Sequence, residues 1–503
     1  MFDYSVFKQN SHMVFPYVAP ISPDYKVYVN GQEVPVYTCR VSAYPFNTWW
    51  PGHQRDFRQT MPVSYVNLIS DETIQIAVEP LTKKAYQRIM LKPYSKQVET
   101  TVEDGKICFT LRENGGYVLE LDDYFNFLYI FNNKPIPCED PAKFTYYFGK
   151  GVHFPGKIVL RTGESLYVDK DALVFGRIYA ENAEDIYICG NGIFDDSSEE
   201  RISDPCTEPY INGNLKLINC KNVRVEGIGL CNSASYCISA FHCFDVDIRS
   251  VRIFGQWRYN TDGIDMLNCQ RIHLQDCFVH SFDDTICIKG LDCFGFENNT
   301  DILVEGCTLW CDWGRTMELG LETECREYKN ITFRNCDVLR GCSVVCDIQN
   351  GDRAEVHQVT FEDIRLEMES FYTPMQLQKS EDAVYDRKNE IEIPQLLAII
   401  NPRYRDSYSF LEGIGTGDQS DAGKPHFASV HDITVRDVTI YCDDVIAAKY
   451  GTKAATVYVE NQIPTALFQN ITVENVTING VRLTGDDMTL LTTGIDPDVL
   501  TIR

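Results

Sequence analysis

From about residue 220 the chain repeats a short pattern: two alternating apolar residues, two polar or small ones, then another apolar residue or Cys. It reads "VRVEGIGL" from Val223, "IHLQDCFV" from Ile272, "ILVEGCTL" from Ile302 and "ITFRNCDV" from Ile331. It continues as "VTFEDIRL" from Val359, "ITVRDVTI" from Ile433 and "ITVENVTI" from Ile471, with a looser copy, "VDIRSVRI", from Val246. Most successive starts lie 23 to 30 residues apart. Period-two alternation predicts a strand with one buried face, then a bend, then a second strand. Units this short cannot bury their apolar face alone but can when stacked. The pattern therefore predicts an all-β chain, a right-handed parallel β-helix with one unit per coil.

Residues 1–148 follow a different rhythm. "YKVYVNGQEVPVYTCRV" reads as strand, Asn-Gly turn, strand, and "ETIQIAVEP", "KICFTLREN" and "GYVLELDD" add strands at the spacing of a sandwich. The expected organisation is an N-terminal β-sandwich over 1–148 and a β-helix over 149–503, entered near Lys157. Between Leu366 and Asp432 the repeat lapses, giving an insertion at about 367–431. A segment of that length is expected either to wall a cleft as a lid or to be a hairpin excursion protecting the stack.

The repeat changes the meaning of the 20 cysteines. Its sixth position holds Ile228, Val251, Cys277, Cys307, Cys336, Ile364, Val438 and Val476. Thiols that share a column with β-branched residues are core filler, so neither disulfides nor a zinc site is expected. A net charge of −26 argues against nucleic acid or an anionic membrane as partner. No basic-then-apolar leader and no apolar run of spanning length stands out, so a cytoplasmic location is expected.

Against this frame "NTDGID" and "DDTICIK" carry the candidate chemistry. Asp262 and Asp283 are 21 residues apart, about one coil, so Asp262 should stack on the Asp283–Asp284 pair. Grouped carboxylates raise each other's pKa. Glycoside hydrolysis uses such a mixture of one protonated and one ionised acid. The alternative is turn chemistry at Asn260–Gly263 and a solvated edge at Asp283–Asp284. Asp265 would point beside the acids or into the turn.

The two motifs, with the interval between them, resemble glycoside hydrolase family 28, the polygalacturonase family. "WGRTMELG" from Trp313 resembles a stretch of family 49, the dextranase and isopullulanase family, whose members also carry an N-terminal β-sandwich. The resemblance implies right-handed parallel β-helices in both cases and inversion at the anomeric centre. It implies Asp283 as general acid, and Asp262 and Asp284 as the groups that position and deprotonate water. Lys289 falls where many family 28 members keep a substrate-binding lysine. Two departures follow. Gly314-Arg315-Thr316 stands where polygalacturonases have Gly-His-Gly, so Arg315 replaces a histidine and Glu318 adds an acid. "SVVCDIQNG" supplies Asp347 and Gln349 where that family grips a carboxylate with Arg and Lys, which suits a neutral sugar.

Substrate-binding candidates are thus Asn260, Asp265, Lys289, Trp313, Arg315, Glu318, Asp347 and Gln349. Trp257, Tyr259 and Trp310 are further platform candidates, and Arg258 is a weaker one. The expected protein is an inverting, exo-acting hydrolase of a neutral oligo- or polysaccharide such as an α-glucan, without cofactor or metal, and able to form homo-oligomers. Competing readings are a pectin-directed polygalacturonase type, a β-helix lyase or epimerase using a cation, and a non-catalytic binding β-helix.

Overall fold

A computed structural model describes residues 21–42, 60–201, 212–291, 298–352, 354–370, 393–401, 428–463 and 466–503. Two five-stranded sheets face each other at the N-terminal end. One holds Gln32–Val34, Tyr25–Val29, Ile74–Pro80, Lys106–Leu111 and Thr101–Glu103; the other holds Tyr37–Ser42, Thr60–Ile69, Asp123–Asn133, Gly115–Leu121 and Ile89–Lys92. Their alternating residues interdigitate, Val27, Ile76, Val78 and Ile107 against Val66, Leu119 and Leu128. The Asn30-Gly31 turn takes positive φ at both residues and pairs Val27 with Val34, as the hairpin signal requires.

The remaining strands, Tyr146–Phe148 through Leu500–Ile502, form one continuous sheet whose neighbours are almost all parallel. This is the right-handed β-helix. Its first strand pairs with Ser165–Val168 and begins eleven residues before Lys157, where the pattern becomes readable. The repeat has a plain backbone cause. Its fifth position is Gly227, Ser250, Asp276, Gly306, Asn335, Asp363, Asp437 or Asn475, and every one of them has φ between 50° and 76°. Gly, Asn and Asp accept that left-handed bend at low cost, and it turns the chain from one wall of the coil to the next. The sixth position then drops inward: Ile228, Cys277, Cys307, Cys336 and Val438 are all buried in one core. Every cysteine among the described residues is a free thiol.

The lapse at 367–431 is not one loop. Gln395–Asn401 is a full strand within it, pairing with Val344–Gln349 and Thr456–Asn461. The lid reading rests on residues 371–392 and 402–427, which lie outside the described residues.

Sandwich and helix meet over an aromatic cluster, Phe127, Tyr129 and Phe131 against Phe254, Phe278 and Trp310. Gly116 belongs to that seam, since a Cβ there would lie 2.2 Å from the Phe278 ring. Beside it Lys92, fully buried, reaches Glu367 at 2.9 Å and Glu369 at 2.5 Å.

Candidate active site

One wall of the helix positions the acids. Its strands include Leu215–Ile218, Ile238–Phe241, Ile264–Leu267, Ile286–Gly290, Arg315–Thr323 and Val344–Gln349. Residues 264, 286 and 317 are in register and face the core, which turns the next residue of each strand outward. The outward column therefore reads Lys216, Ser239, Asp265, Cys287, Glu318, Asp347. Asp262, Asp283 and Asp284 sit in the turns leading into this wall. Gly263 N donates to Asp284 O at 2.8 Å and Ile264 N to Thr285 O at 2.9 Å. Asp262 thus stands opposite Asp284, 22 residues on, with Asp283 one step to the side. Gly314 lets the next turn close on the pair: a Cβ there would lie 2.3 Å from Asp284 Oδ1 and 2.5 Å from its amide nitrogen.

The carboxyls differ in charge state, and each difference has a cause. Burial, then the neighbouring Asp284, pushes Asp283 up to about 8. Its Oδ2 accepts from Asn260 Nδ2 at 3.4 Å. Asp284 is equally buried, but the Arg315 and Lys289 charges and the Arg315 amide (2.9 Å to Oδ1) hold it below the usual carboxylate range. Lys289 Nζ donates to Asp262 Oδ2 at 2.9 Å and to Asp265 Oδ1 at 2.8 Å. Burial opposes the Lys289 charge, yet two carboxylates at that distance keep it an ammonium. Burial raises both partner acids, Asp265 to about 6. One cation between two buried acids fixes at least one negative charge and leaves the second acid easy to protonate. Glu318 is raised by burial and by Asp284.

The predicted residues do not all reach the surface. Asn260, Tyr259, Trp313 and Arg315 remain partly exposed, and the Tyr259 and Trp313 rings lie 4.9 Å apart. Asp265, Glu318, Asp347 and Gln349 are buried, as are Asp262, Asp283 and Asp284 themselves, and they line the layer beneath the partly exposed residues. Lys289 is committed to Asp262 and Asp265. Trp310 is buried against His280 at 4.0 Å, and Trp257 is buried with its Nε1 donating to Asn232 Oδ1 at 3.3 Å. Neither is a platform. Arg258 is held by the Asn232 and Ser197 carbonyls.

Three charged or polar neighbours escaped the sequence reading. Arg201 donates to Asn260 Oδ1 at 2.5 Å and lies 5.5 Å from the Tyr259 ring centroid. Tyr236 receives Lys289 over its ring at 4.4 Å. Lys216 is buried in the outward column; its only signal is a lysine between two core leucines.

The ligand atoms of Asp284, Cys287 and Glu318 lie within 4.8 Å of one another. Burial, then the neighbouring Glu318, pushes the Cys287 thiol well up, and it donates to Glu318 Oε2 at 3.3 Å. A cavity of about 890 Å³ between sandwich and helix, bordered by Tyr37, Tyr65, Phe175 and Asn232, contains none of these acids and is a separate feature.

Residues 140–383, a span that contains both acid motifs and most of the β-helix, match the family model described as Glycosyl hydrolases family 28. A probable polygalacturonase of Arabidopsis thaliana is 28% identical over 157 residues, 30% of this chain and 33% of that one. A polygalacturonase of Juniperus ashei is 24% identical over 202 residues, 36% of this chain and 37% of that one. The chain thus spans about a third of the length of these relatives. Dex49A from Penicillium minioluteum shares the fold, with TM-score 0.65 and 12% identity over 96% of this chain and 94% of that one.

Proposed function

We propose that this chain, whose β-helix carries the family 28 glycosyl hydrolase match over residues 140–383, is an inverting glycoside hydrolase. One observation supports this above the others: Asp283, pushed up to about 8, adjoins Asp284, held low, with Asp262 on the coil beneath. Asp283 then donates its proton to the glycosidic oxygen as that bond breaks. Asp284 accepts a proton from the water that attacks the anomeric carbon, and Asp262 orients the water through Oδ1, which has no protein hydrogen-bond partner. No covalent intermediate forms. General acid and base assistance of this kind is worth about 10²–10⁴-fold each.

The substrate we propose is a neutral oligosaccharide cut from one end. Arg315, on the Asp347 side of the acids, is already met by Asp284, Glu318 and Asp347 at 3.7–3.9 Å. A guanidinium with three acid neighbours offers little to a uronate carboxylate. Tyr259 and Trp313 supply an aromatic face for a sugar ring. They pack against the sandwich seam, which supports a groove bounded on that side. A polygalacturonate substrate is the second reading, favoured by the names of the relatives and by Arg201 beside the acids.

The test is digestion of a glycan panel containing neutral α-glucan oligosaccharides and oligogalacturonates. Release of single sugars from a neutral member, lost in Asp283→Asn, is expected. Cleavage of oligogalacturonate alone would select the second reading, and no cleavage by correctly folded wild type would end the proposal.

A further inference from the structure

Behind the acids lies a row of buried polar atoms that ends at Asp262 and that, apart from Asp262, the proposed chemistry leaves unused. Lys216, Ser239 and Asp265 occupy successive coils at one position of the outward column. Lys216 Nζ, Ser239 Oγ and Asp265 Oδ2 are all buried without a protein hydrogen-bond partner, as are Asp262 Oδ1 beyond Asp265 and Asp196 Oδ1 on the other side. Neighbours in this column can meet directly, as Cys287 and Glu318 do at 3.3 Å; the atoms of this row do not, which leaves water to satisfy them. A buried ammonium left unsatisfied is strongly unfavourable, whereas internal waters typically make about three hydrogen bonds to such groups.

Lys216 is only 1% exposed. It is faced by Asp265 and Asp262 from the coils above, by Asp196 following Ile193–Asp195, and by Arg177 of Ala172–Glu181. The Phe241 ring lies 5.1 Å from its Nζ. Burial lowers the lysine to about 7 against the pull of those acids, so near pH 6 it carries its charge. That charge favours the ionised state of the Asp262–Asp265 pair, which Lys289 alone must otherwise hold.

We propose that Lys216 is a positioning residue for this site: internal water links its ammonium through Ser239 to the free oxygens of Asp265 and Asp262, and its charge holds that pair as the carboxylates that orient the attacking water. The residue acts through Asp265 and Asp262 and touches no substrate. The proposal rests on the hydrolase reading for its effect on rate, but not for the water row itself.

Two measurements test it. In a high-resolution crystal structure of the wild type, an ordered water within hydrogen-bond distance of both Lys216 Nζ and a neighbouring acceptor of the row is expected. A dry gap, or Nζ bonded directly to protein, would overturn the proposal whatever the enzyme's activity. In the pH profile of kcat/KM, Lys216→Met should move the acid limb upward by about half a unit or more, because losing a cation makes the carboxylates harder to ionise. Lys216→Arg should restore most of that limb, and Ser239→Ala, a milder change, should shift it the same way if the Met variant does not fold. A uniform loss of rate with the limb unmoved would mark Lys216 as merely structural. Absence of hydrolysis by wild type would instead remove the hydrolase reading and leave the crystallographic result to decide the row.

Discussion

Replacing Asp283 by Asn should stabilise the protein while disabling it, and the two effects should follow different pH courses. The Asp283 carboxyl is raised from 3.8 to about 8. A group raised on folding adds stability below its unfolded pKa and loses it as pH climbs through the folded value. The loss therefore runs from about pH 4 to about pH 8. At pH 7 roughly three units have been traversed, an upper bound of about 4 kcal/mol at about 1.4 kcal/mol per unit; with the higher effective dielectric of real buried sites, roughly 2 kcal/mol is expected. Asn fills the same space and carries no proton to lose, so the variant should match wild type near pH 4 and exceed it increasingly towards pH 8. Urea midpoints for both proteins at pH 5 and pH 8 measure this. Catalysis should fall by about 10²–10⁴ on ordinary glycosides, and by much less on an aryl glycoside whose phenol leaves unprotonated. Equal pH dependence of the two stabilities would refute a buried, protonated Asp283, and equal rate losses on both substrates would refute its role as acid.

Three other outcomes follow from the same geometry. The kcat/KM profile should be a bell, with a basic limb near pH 8 where Asp283 loses its proton and an acid limb where the Asp262–Asp265 pair, both raised by burial and Asp265 to about 6, takes one up; steady-state rates across pH 4 to 10 would show it. Gly314→Ala should cut kcat by an order of magnitude or more with little loss of secondary structure, because its methyl would lie 2.3 Å from Asp284 Oδ1; circular dichroism beside the rate assay separates the two. Lys92→Met strands Glu367 and Glu369 inside the sandwich–helix junction, and losing one partner of a buried ionic group costs about 3–5 kcal/mol. That loss should be larger at pH 8 than at pH 5, since Glu367, raised by burial to about 7, can take up a proton at the lower pH; denaturant melts at the two values check it.

What the sequence disclosed, and what it withheld, follows from how a β-helix stores information. Core and bend are local: alternation puts Val223 and Val225 inward, and the left-handed fifth position admits Gly, Asn, Asp or Ser, so the coil is readable residue by residue. The acid cluster is readable for the same reason, because one coil's length brings Asp262 to Asp284. The column Lys216–Ser239–Asp265 depends on register across coils of unequal length, and no spacing in the chain announces it. Arg201 arrives from a stretch with no repeat at all. Exposure of the aromatics was equally hidden. Trp310 and Trp313 are three residues apart, and docking of the sandwich, with Tyr129 and Phe127 against Trp310, decides that one is core and the other cleft. The apparent gap at 367–431 concealed the strand Gln395–Asn401 because "QLLAIIN" is a continuous apolar run without the bend that marks the other coils.

Proton NMR of the first sugar released from a substrate of known anomeric configuration addresses the central claim most directly. Asp283 and Asp284 serving leaving group and water together in a single displacement require the product to appear first with the opposite anomeric configuration. Initial appearance of the substrate's own configuration would mean a covalent intermediate and contradict the account.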